Sequence, residues 1–430
     1  MRRTAMFSLA AVLVALLGLC LTGCPERRGG HKVAKVPRDT PAASTWTSSD
    51  QEHDTGLKLS LFNGTPMMAS PPDAISFSSD CGTLFVHGLD RTSNEFYVGQ
   101  FEVGAEALTP TGLYIAGPDL IVSYVQSAPD GSECMVLSQV QPKGKTVRDV
   151  IYRIGKVFGE SLKYRSIVPW EMLEGLPVDA IETTFTFTKP FYSWDGASIL
   201  VPFNNDSGIG VISKQSGMGT YVPYPRTEIA GGWTGNAFGT LPDEDGHSKI
   251  WASFWSITNS KDDECEVYTL DLDSREWKRV FKLPWAIYRC SATAPSAEPW
   301  LVSGSYSGLV DDDAEASEVP RSGVRIPQLA RVVPGAGTID LLPLYGDPIW
   351  DIALDPFGSK VFYSDHRRKA LLRLNCADGE LDYDPNWFTA EDRETKLFMA
   401  SGGDRCFIWR DEILIQARFT KHEDEKGYDE

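Results

Sequence analysis

The sequence predicts an all-β protein: a single β-propeller of about seven four-stranded blades, behind an N-terminal signal and a flexible tether. Three observations lead there. A turn signature built on Asp, Gly, Pro or Ser recurs seven times along the chain. Each turn is followed by a short run rich in Val, Ile, Phe and Tyr, the composition of buried strands. Helical periodicity is nearly absent.

The N-terminus comes first. Arg2 and Arg3 form a positive start, Ala5 to Leu19 is almost wholly apolar, and Leu21-Thr22-Gly23-Cys24 follows. Small residues ahead of a cut mark a secretory signal. The box resembles the bacterial lipoprotein signal. That resemblance implies cleavage before Cys24, acylation of its thiol and of the new amine, and a membrane held through N-terminal lipid. An uncut transmembrane span is the alternative, since the apolar run approaches the required length. Residue 25 is Pro, not Asp. In the sorting scheme that such lipoproteins resemble, this favours the outer membrane over the inner. Residues 1–23 are thus read as signal peptide and 24–55 as a lipid-anchored tether rich in Arg, Lys, Pro, Ser and Thr. Residues 56–420 are read as the propeller and 421–430, KHEDEKGYDE, as a charged tail.

The seven turns begin at Ser78 (SSDCGTLFVHG), Ala128 (APDGSECMVLS), Ser193 (SWDGASILVPF), Asp243 (DEDGHSKIWASF), Ser296 (SAEPWLVSG), Asp355 (DPFGSKVFYSD) and Ser401 (SGGDRCFIWRDE). Their acidic markers are 49 to 65 residues apart. Asp-Gly supplies the positive φ of a tight turn. Strand–turn–strand segments such as NEFYVGQFEVGAEALTP and EVYTLDLDSREWKRVFKLP follow most turns, giving about four strands per unit. One helix is expected, in VPWEMLEGL (168–176), opened by Pro169. Ring closure needs strands from both chain ends. LKLSLFNGT near residue 57 is the candidate partner for CFIWRDEILIQARF near the C-terminus. Six or eight blades, or two stacked sandwiches, remain open alternatives.

APDGSECMVLS and the stretch from Tyr97 to Thr109 resemble the TolB-type propeller repeat, over roughly residues 57 to 420. The family's periplasmic namesake carries an α/β domain ahead of its propeller, where this chain has a tether. Its partner, the peptidoglycan-associated lipoprotein, therefore does not carry over.

Fifty-nine acidic residues outnumber 41 basic ones, a formal net charge of −18. Such a chain repels phosphate backbones, which argues against nucleic-acid binding. It also repels anionic headgroups, leaving the lipid to do the anchoring. With Cys24 acylated and Cys20 in the signal, six cysteines remain: Cys81, Cys134, Cys265, Cys290, Cys376 and Cys406. Sequential disulfides (81–134, 265–290, 376–406) and buried thiols are both open.

Gly-x-Ser-x-Gly, Gly-x-x-x-x-Gly-Lys and His-Glu-x-x-His are absent from the sequence. Some TolB-like propellers are metal-dependent lyases with histidines ringing the channel, and here the candidates are His87, His247 and His366. They occupy different places within their units, which opposes convergence on one metal. LVDDDAEASEVPRSG, from Leu309, concentrates carboxylates but lacks the alternation of a calcium loop. Twelve tryptophans are expected mainly between blades, with Trp233 in AGGWTGNAFG the best candidate for exposure. The leading expectation is a non-catalytic scaffold without cofactor that binds an envelope protein or glycan. The alternative is a metal-dependent lyase, lactonase or hydrolase.

Overall fold

The computed structural model describes residues 46–48, 53–58, 75–90, 93, 95–104, 108–116, 121–140, 148–156, 162–176, 189–203, 207–229, 232–233, 235–242, 248–256, 264–283, 285–292, 300–306, 326–333, 338–341, 349–354, 360–365, 370–375, 381–385, 396–399, 405–410 and 413–421. Two short strands come first, Trp46–Ser48 (β1) and His53–Lys58 (β2). Blade 1 is Ile75–Phe77 (β3), Thr83–Asp90 (β4), Glu95–Val103 (β5) and Leu108–Ala116 (β6). Blade 2 is Ile121–Ser127 (β7), Glu133–Val140 (β8), Arg148–Gly155 (β9) and Lys163–Ile167 (β10). A helix Pro169–Met172 (α1) and the strand Leu173–Glu174 (β11) follow.

Blade 3 is Phe191–Tyr192 (β12), Ser198–Pro202 (β13), Gly208–Ser213 (β14) and Gly219–Pro223 (β15). Blade 4 is Gly235–Pro242 (β16), Ser248–Ser256 (β17), Glu264–Leu270 (β18) and Trp277–Leu283 (β19). Blade 5 is Ala286–Ala292 (β20), Trp300–Tyr306 (β21), Ile326–Val333 (β22) and Thr338–Leu341 (β23). Blade 6 is Ile349–Leu354 (β24), Lys360–Asp365 (β25), Ala370–Asn375 (β26) and Leu381–Pro385 (β27). Blade 7 takes Lys396–Met399 (β28), Arg405–Arg410 (β29) and Ile413–Lys421 (β30) from the C-terminal end.

Within each blade the strands pair antiparallel in chain order, and β1 and β2 supply the fourth position of blade 7 by pairing with β30. First strands of consecutive blades abut, for example β3 on β7, β16 on β20 and β24 on β28, so they line the axis. Seven separate sheets in this order make a seven-bladed propeller, not two sandwiches. Phe77 of blade 1 stacks on Phe407 of blade 7 at 4.5 Å between centroids, closing the ring. Among the described residues, the seams from blade 7 round to blade 5 carry apolar packing, such as Phe85, Val98, Val125 and Cys134 between blades 1 and 2.

All seven turn signatures sit immediately before the second strand of a blade. In the first three the chemistry is visible. Ser78 Oγ donates to Asp80 Oδ1 at 2.6 Å, and Ser193 Oγ to Asp195 Oδ1 at 2.6 Å. Backbone N–H groups of Gly82, Ser132 and Ala197 donate to Asp80, Asp130 and Asp195. The residue after each Asp is left-handed: φ is 54° at Cys81, 67° at Gly131 and 67° at Gly196. Glycine adopts that conformation freely. Cys81 takes it with its side chain buried in the core between blades 7 and 1. The turns also bind one another: Ser79 N donates to Pro129 O at 2.9 Å, and Asp195 N to Ser248 Oγ at 2.9 Å.

One expectation shifts and one holds. The closing strand is not centred near residue 57: Trp46–Ser48 and His53–Lys58 pair with β30, so sheet structure begins within the stretch read as tether. Residues 59–65 of the candidate strand lie outside the described residues. The helix opens at Pro169 as expected, and Leu173 behind it covers Gly210, where a Cβ would lie 2.6 Å from Leu173 Cδ1.

Candidate functional site

The first strands of blades 2 to 4, which line the axis, carry half-buried aromatics: Tyr124 of β7 packs against the core between blades 2 and 3, Phe191 of β12 against that between blades 3 and 4, and Phe238 of β16 against Phe254 and Tyr268 of blade 4. Lys189, exposed just ahead of β12, holds Nζ 6.0 Å from the centre of the Tyr124 ring, within reach of a cation–π attraction. The Tyr124 hydroxyl donates to Gln126 Oε1. Phe191 stacks on Phe238 at 6.5 Å, and Phe238 on Tyr224 at 5.6 Å. Trp233 lies edge-on to Tyr224 at 5.9 Å and to Phe254 at 5.1 Å.

The blade order produces this arrangement. The connection from β15 to β16 must return from rim to axis across the face of blade 4. It lays Tyr224 against Phe238, Phe254 and Trp277 and Trp233 against Phe254, and Phe254 in turn meets Tyr268, so the cluster takes one aromatic from each strand of that blade. Aromatic pairs at these separations favour tilted and offset contacts, which fix ring orientation.

Two buried ionic clusters stiffen the frame. Glu266 on β18 is fully buried and accepts from Tyr268 Oη at 2.8 Å, from Glu228 N at 3.1 Å and from Arg279 Nη1 at 3.2 Å. Burial, and then the carboxylate it donates to, push the Tyr268 phenol well above its usual range. Arg279 also holds Glu228 at 2.5 Å, which lowers the Glu228 carboxyl. Glu133 on β8, also fully buried, receives Arg153 Nη2 at 2.8 Å and Lys214 Nζ at 3.0 Å. Lys214 belongs to blade 3, so this cluster ties blade 2 to blade 3. Tyr192 lies 3.5 Å from the same carboxylate, and burial holds its phenol proton on firmly. These carboxylates are committed to partners, so the chemistry they perform is structural.

The sequence-based candidates fall as follows. Leu21, Thr22, Gly23 and Cys24 lie outside the described residues, as do His247, His366, Cys376 and the acidic loop from Leu309. Cys290 falls in β20 and Cys406 in β29. Cys81, Cys134 and Cys265 are buried thiols, so the 81–134 and 265–290 disulfides are not formed. The reason is packing: Cys81 belongs to the core between blades 7 and 1, Cys134 to that between blades 1 and 2, and Cys265 to that between blades 4 and 5. Burial drives the Cys134 thiol pKa well up and that of Cys265 to about 12.

His87 is buried on β4, the second strand of its blade, on the face that carries Phe85 toward blade 2. That places it off the axis. Among the described residues no group of three or more His, Cys, Asp or Glu is placed to hold a metal. Trp233 is half-buried rather than free-standing. Trp251 and Trp255 are buried over Gly239 and Gly235, where a Cβ would lie 2.6 Å from each indole nitrogen. Sequence reasoning missed Glu133, Glu266 and the Phe191–Phe238 pair. A signal existed for the Trp–Gly pairs: both run at a spacing of four on adjacent antiparallel strands.

No protein-family model and no curated protein sequence matches the chain. Solved structures similar to it in architecture include hydrazine synthase from Kuenenia stuttgartiensis, at 13% identity, covering 84% of this chain and 99% of that one, with a TM-score of 0.49. Another is the β-propeller domain of the trilobed protease from Pyrococcus furiosus, at 10% identity, 84% and 98% coverage and a TM-score of 0.49. A third is the β-propeller domain of Cps50 (Swd1) from Myceliophteria thermophila, at 10% identity, 82% and 98% coverage and a TM-score of 0.47. The fold assignment rests on the order of the seven sheets.

Proposed function

We propose that this chain is a lipid-anchored, extracytoplasmic binding module whose propeller engages an envelope protein or glycan through the aromatics of its axial strands. The observation that carries the reading is the set of half-buried aromatics Tyr124, Phe191 and Phe238 on first strands, with Lys189 and Gln126 as polar neighbours of Tyr124. Aromatic faces with a few polar groups suit sugar rings and peptide side chains. The buried ion pairs hold this part of the frame in a fixed shape, which lowers the ordering cost of binding. The anchor follows from Leu21-Thr22-Gly23-Cys24, and the TolB-type character of the turns agrees with an envelope setting. The net charge of −18 disfavours nucleic acid.

The metal-dependent enzyme reading gains no support from His87, which packs between blades rather than toward the axis.

The test is crosslinking of the tagged, acylated protein in cells, followed by mass spectrometry. A near-stoichiometric envelope partner should be recovered, lost when the propeller is deleted and kept when Cys24→Ser removes the lipid. Recovery of abundant membrane proteins alone would count against the scaffold. Metal found in purified protein, lost on His87→Ala, would revive the enzyme.

A further inference from the structure

We infer that the outer rim of blade 2 is a contact surface for anionic membrane headgroups and sets the orientation of the anchored domain. The inference rests on the lipid-anchored reading above and names the surface that domain turns toward the bilayer.

The rim is unusual in charge. On β10, Lys163, Tyr164, Arg165 and Ser166 are all exposed before Ile167 turns inward. Lys156, at the end of β9, is exposed as well. No salt bridge among the described residues engages Lys156, Lys163 or Arg165. From Lys143 to Arg165 the sequence carries 7 basic and 2 acidic residues, within a chain of net charge −18. One of those two acids, Asp149, is buried, and so is one of the seven basic residues, Arg153, which Glu133 holds. The protein as a whole is repelled by an anionic surface, so it approaches such a surface through this sector.

The rim is also aromatic. Tyr164 is 54% exposed, the second most exposed large apolar side chain described. Its ring is held 5.6 Å from Tyr114 of blade 1 and 5.6 Å from Tyr152 of β9. Burial, then the two neighbouring phenols, push the Tyr114 pKa to about 12. Tyrosines with an apolar body and a wet tip, beside long basic chains, are the side chains found at headgroup level.

Blade 4 provides the contrast. Its outer strand β19 also exposes Lys278, Arg279 and Lys282. There Arg279 is neutralised by Glu228 and Glu266, and Asp271, Asp273 and Glu276 precede the strand. β10 is the outer strand of its sheet, and its four consecutive exposed residues present a continuous edge to a surface. β1, where the described residues begin, lies in blade 7, two places round the ring from blade 2.

The experiment is amine footprinting by mass spectrometry of the acylated full chain, reconstituted in vesicles of phosphatidylcholine alone or mixed with phosphatidylglycerol. Labelling of Lys156 and Lys163 should slow about fivefold or more on the anionic vesicles. Labelling of Lys278 should not change, and high salt should remove the protection. Arg165→Glu should abolish the protection without shifting thermal unfolding. Equal labelling on both vesicles, or equal protection of Lys278, overturns the inference. So does protection by polyglutamate in solution but not by anionic vesicles, which would make the rim a dock for acidic chains. The mass of the N-terminal peptide reports acylation of Cys24 separately, so failure of the anchor and failure of the rim are distinguishable.

Discussion

Arg153 grips Glu133 in a fork across adjacent strands of blade 2: Nε lies 3.1 Å from Oε1 and Nη2 lies 2.8 Å from Oε2. Both side chains are nearly or fully buried. The pair is extended by Lys214 from the next blade, whose backbone carbonyl also accepts from Arg153 Nη1 at 3.3 Å. A carboxylate at this depth is tolerable only when its oxygens are filled.

Removing one member should therefore cost more than removing both. Arg153→Met should destabilise by about 3 to 5 kcal/mol, because Glu133 is left buried with Lys214 as its remaining cation. Glu133→Leu/Arg153→Met should recover much of that loss. Urea unfolding of the three proteins checks the order. A double variant as weak as the single one would contradict it.

Gly131 and Gly196 share a left-handed φ of 67° but not the same surroundings. A Cβ on Gly131 would lie 2.6 Å from Thr83 Oγ1 in the neighbouring blade, whereas on Gly196 it would lie 3.4 Å from Pro129 Cδ. Gly196→Ala should cost about 1 to 2 kcal/mol from backbone strain. Gly131→Ala should cost about 1 to 3 kcal/mol more from overpacking. Equal losses on thermal unfolding would contradict the account of how the turns pack.

The turn carboxylates set an acid limit. Burial raises the pKa of Asp195, but hydrogen bonds from Ser193, Ala197 and Ser248 outweigh it and hold the carboxyl below the ordinary range. Asp130 behaves alike, with Ser132 as donor. A depressed folded pKa contributes stability above the unfolded value, near 4, and that stability is lost as pH falls through the folded value. Asp130→Asn/Asp195→Asn should flatten the fall in stability below about pH 4 and have little effect on its slope at neutral pH. Thermal unfolding against pH reads this directly.

The buried thiols should be inert in the folded protein. Burial leaves Cys134 and Cys265 protonated at neutral pH, and the thiolate is the reactive form. Thiol reagents should leave Cys81, Cys134 and Cys265 unmodified in the native protein and label all three after denaturation without reductant. Failure to label them then would mean that disulfides form after all.

The seven blades were legible because each turn carries its own chemistry within about six residues, from Ser78 to Thr83 or Ser193 to Ser198. Pro169 announced the helix in the same local way. The closing strands did not announce themselves. WTS and HDTGLK are short and polar and lack the apolar alternation by which a strand is recognised. Glu133 and Glu266 read as solvent-facing positions in SECMVLS and ECEVYTL, since the partners that bury them lie 20 and 13 residues away on other strands. The aromatics of the axial strands were equally hidden. Phe191 and Phe238 are far apart in sequence and meet because blades 3 and 4 are neighbours.

The central claim is that the partner sits at the aromatics of the axial strands. The direct measurement replaces Asn236, half-buried two residues from Phe238 on β16, with a photo-crosslinking amino acid in the full-length protein in cells. The same substitution at Lys278, on the outer strand of that blade, serves as the reference. The account predicts one discrete adduct at position 236, absent at 278 and lost on Phe238→Ala in a protein that unfolds normally. No adduct at 236, or the same adducts at both positions, would contradict it.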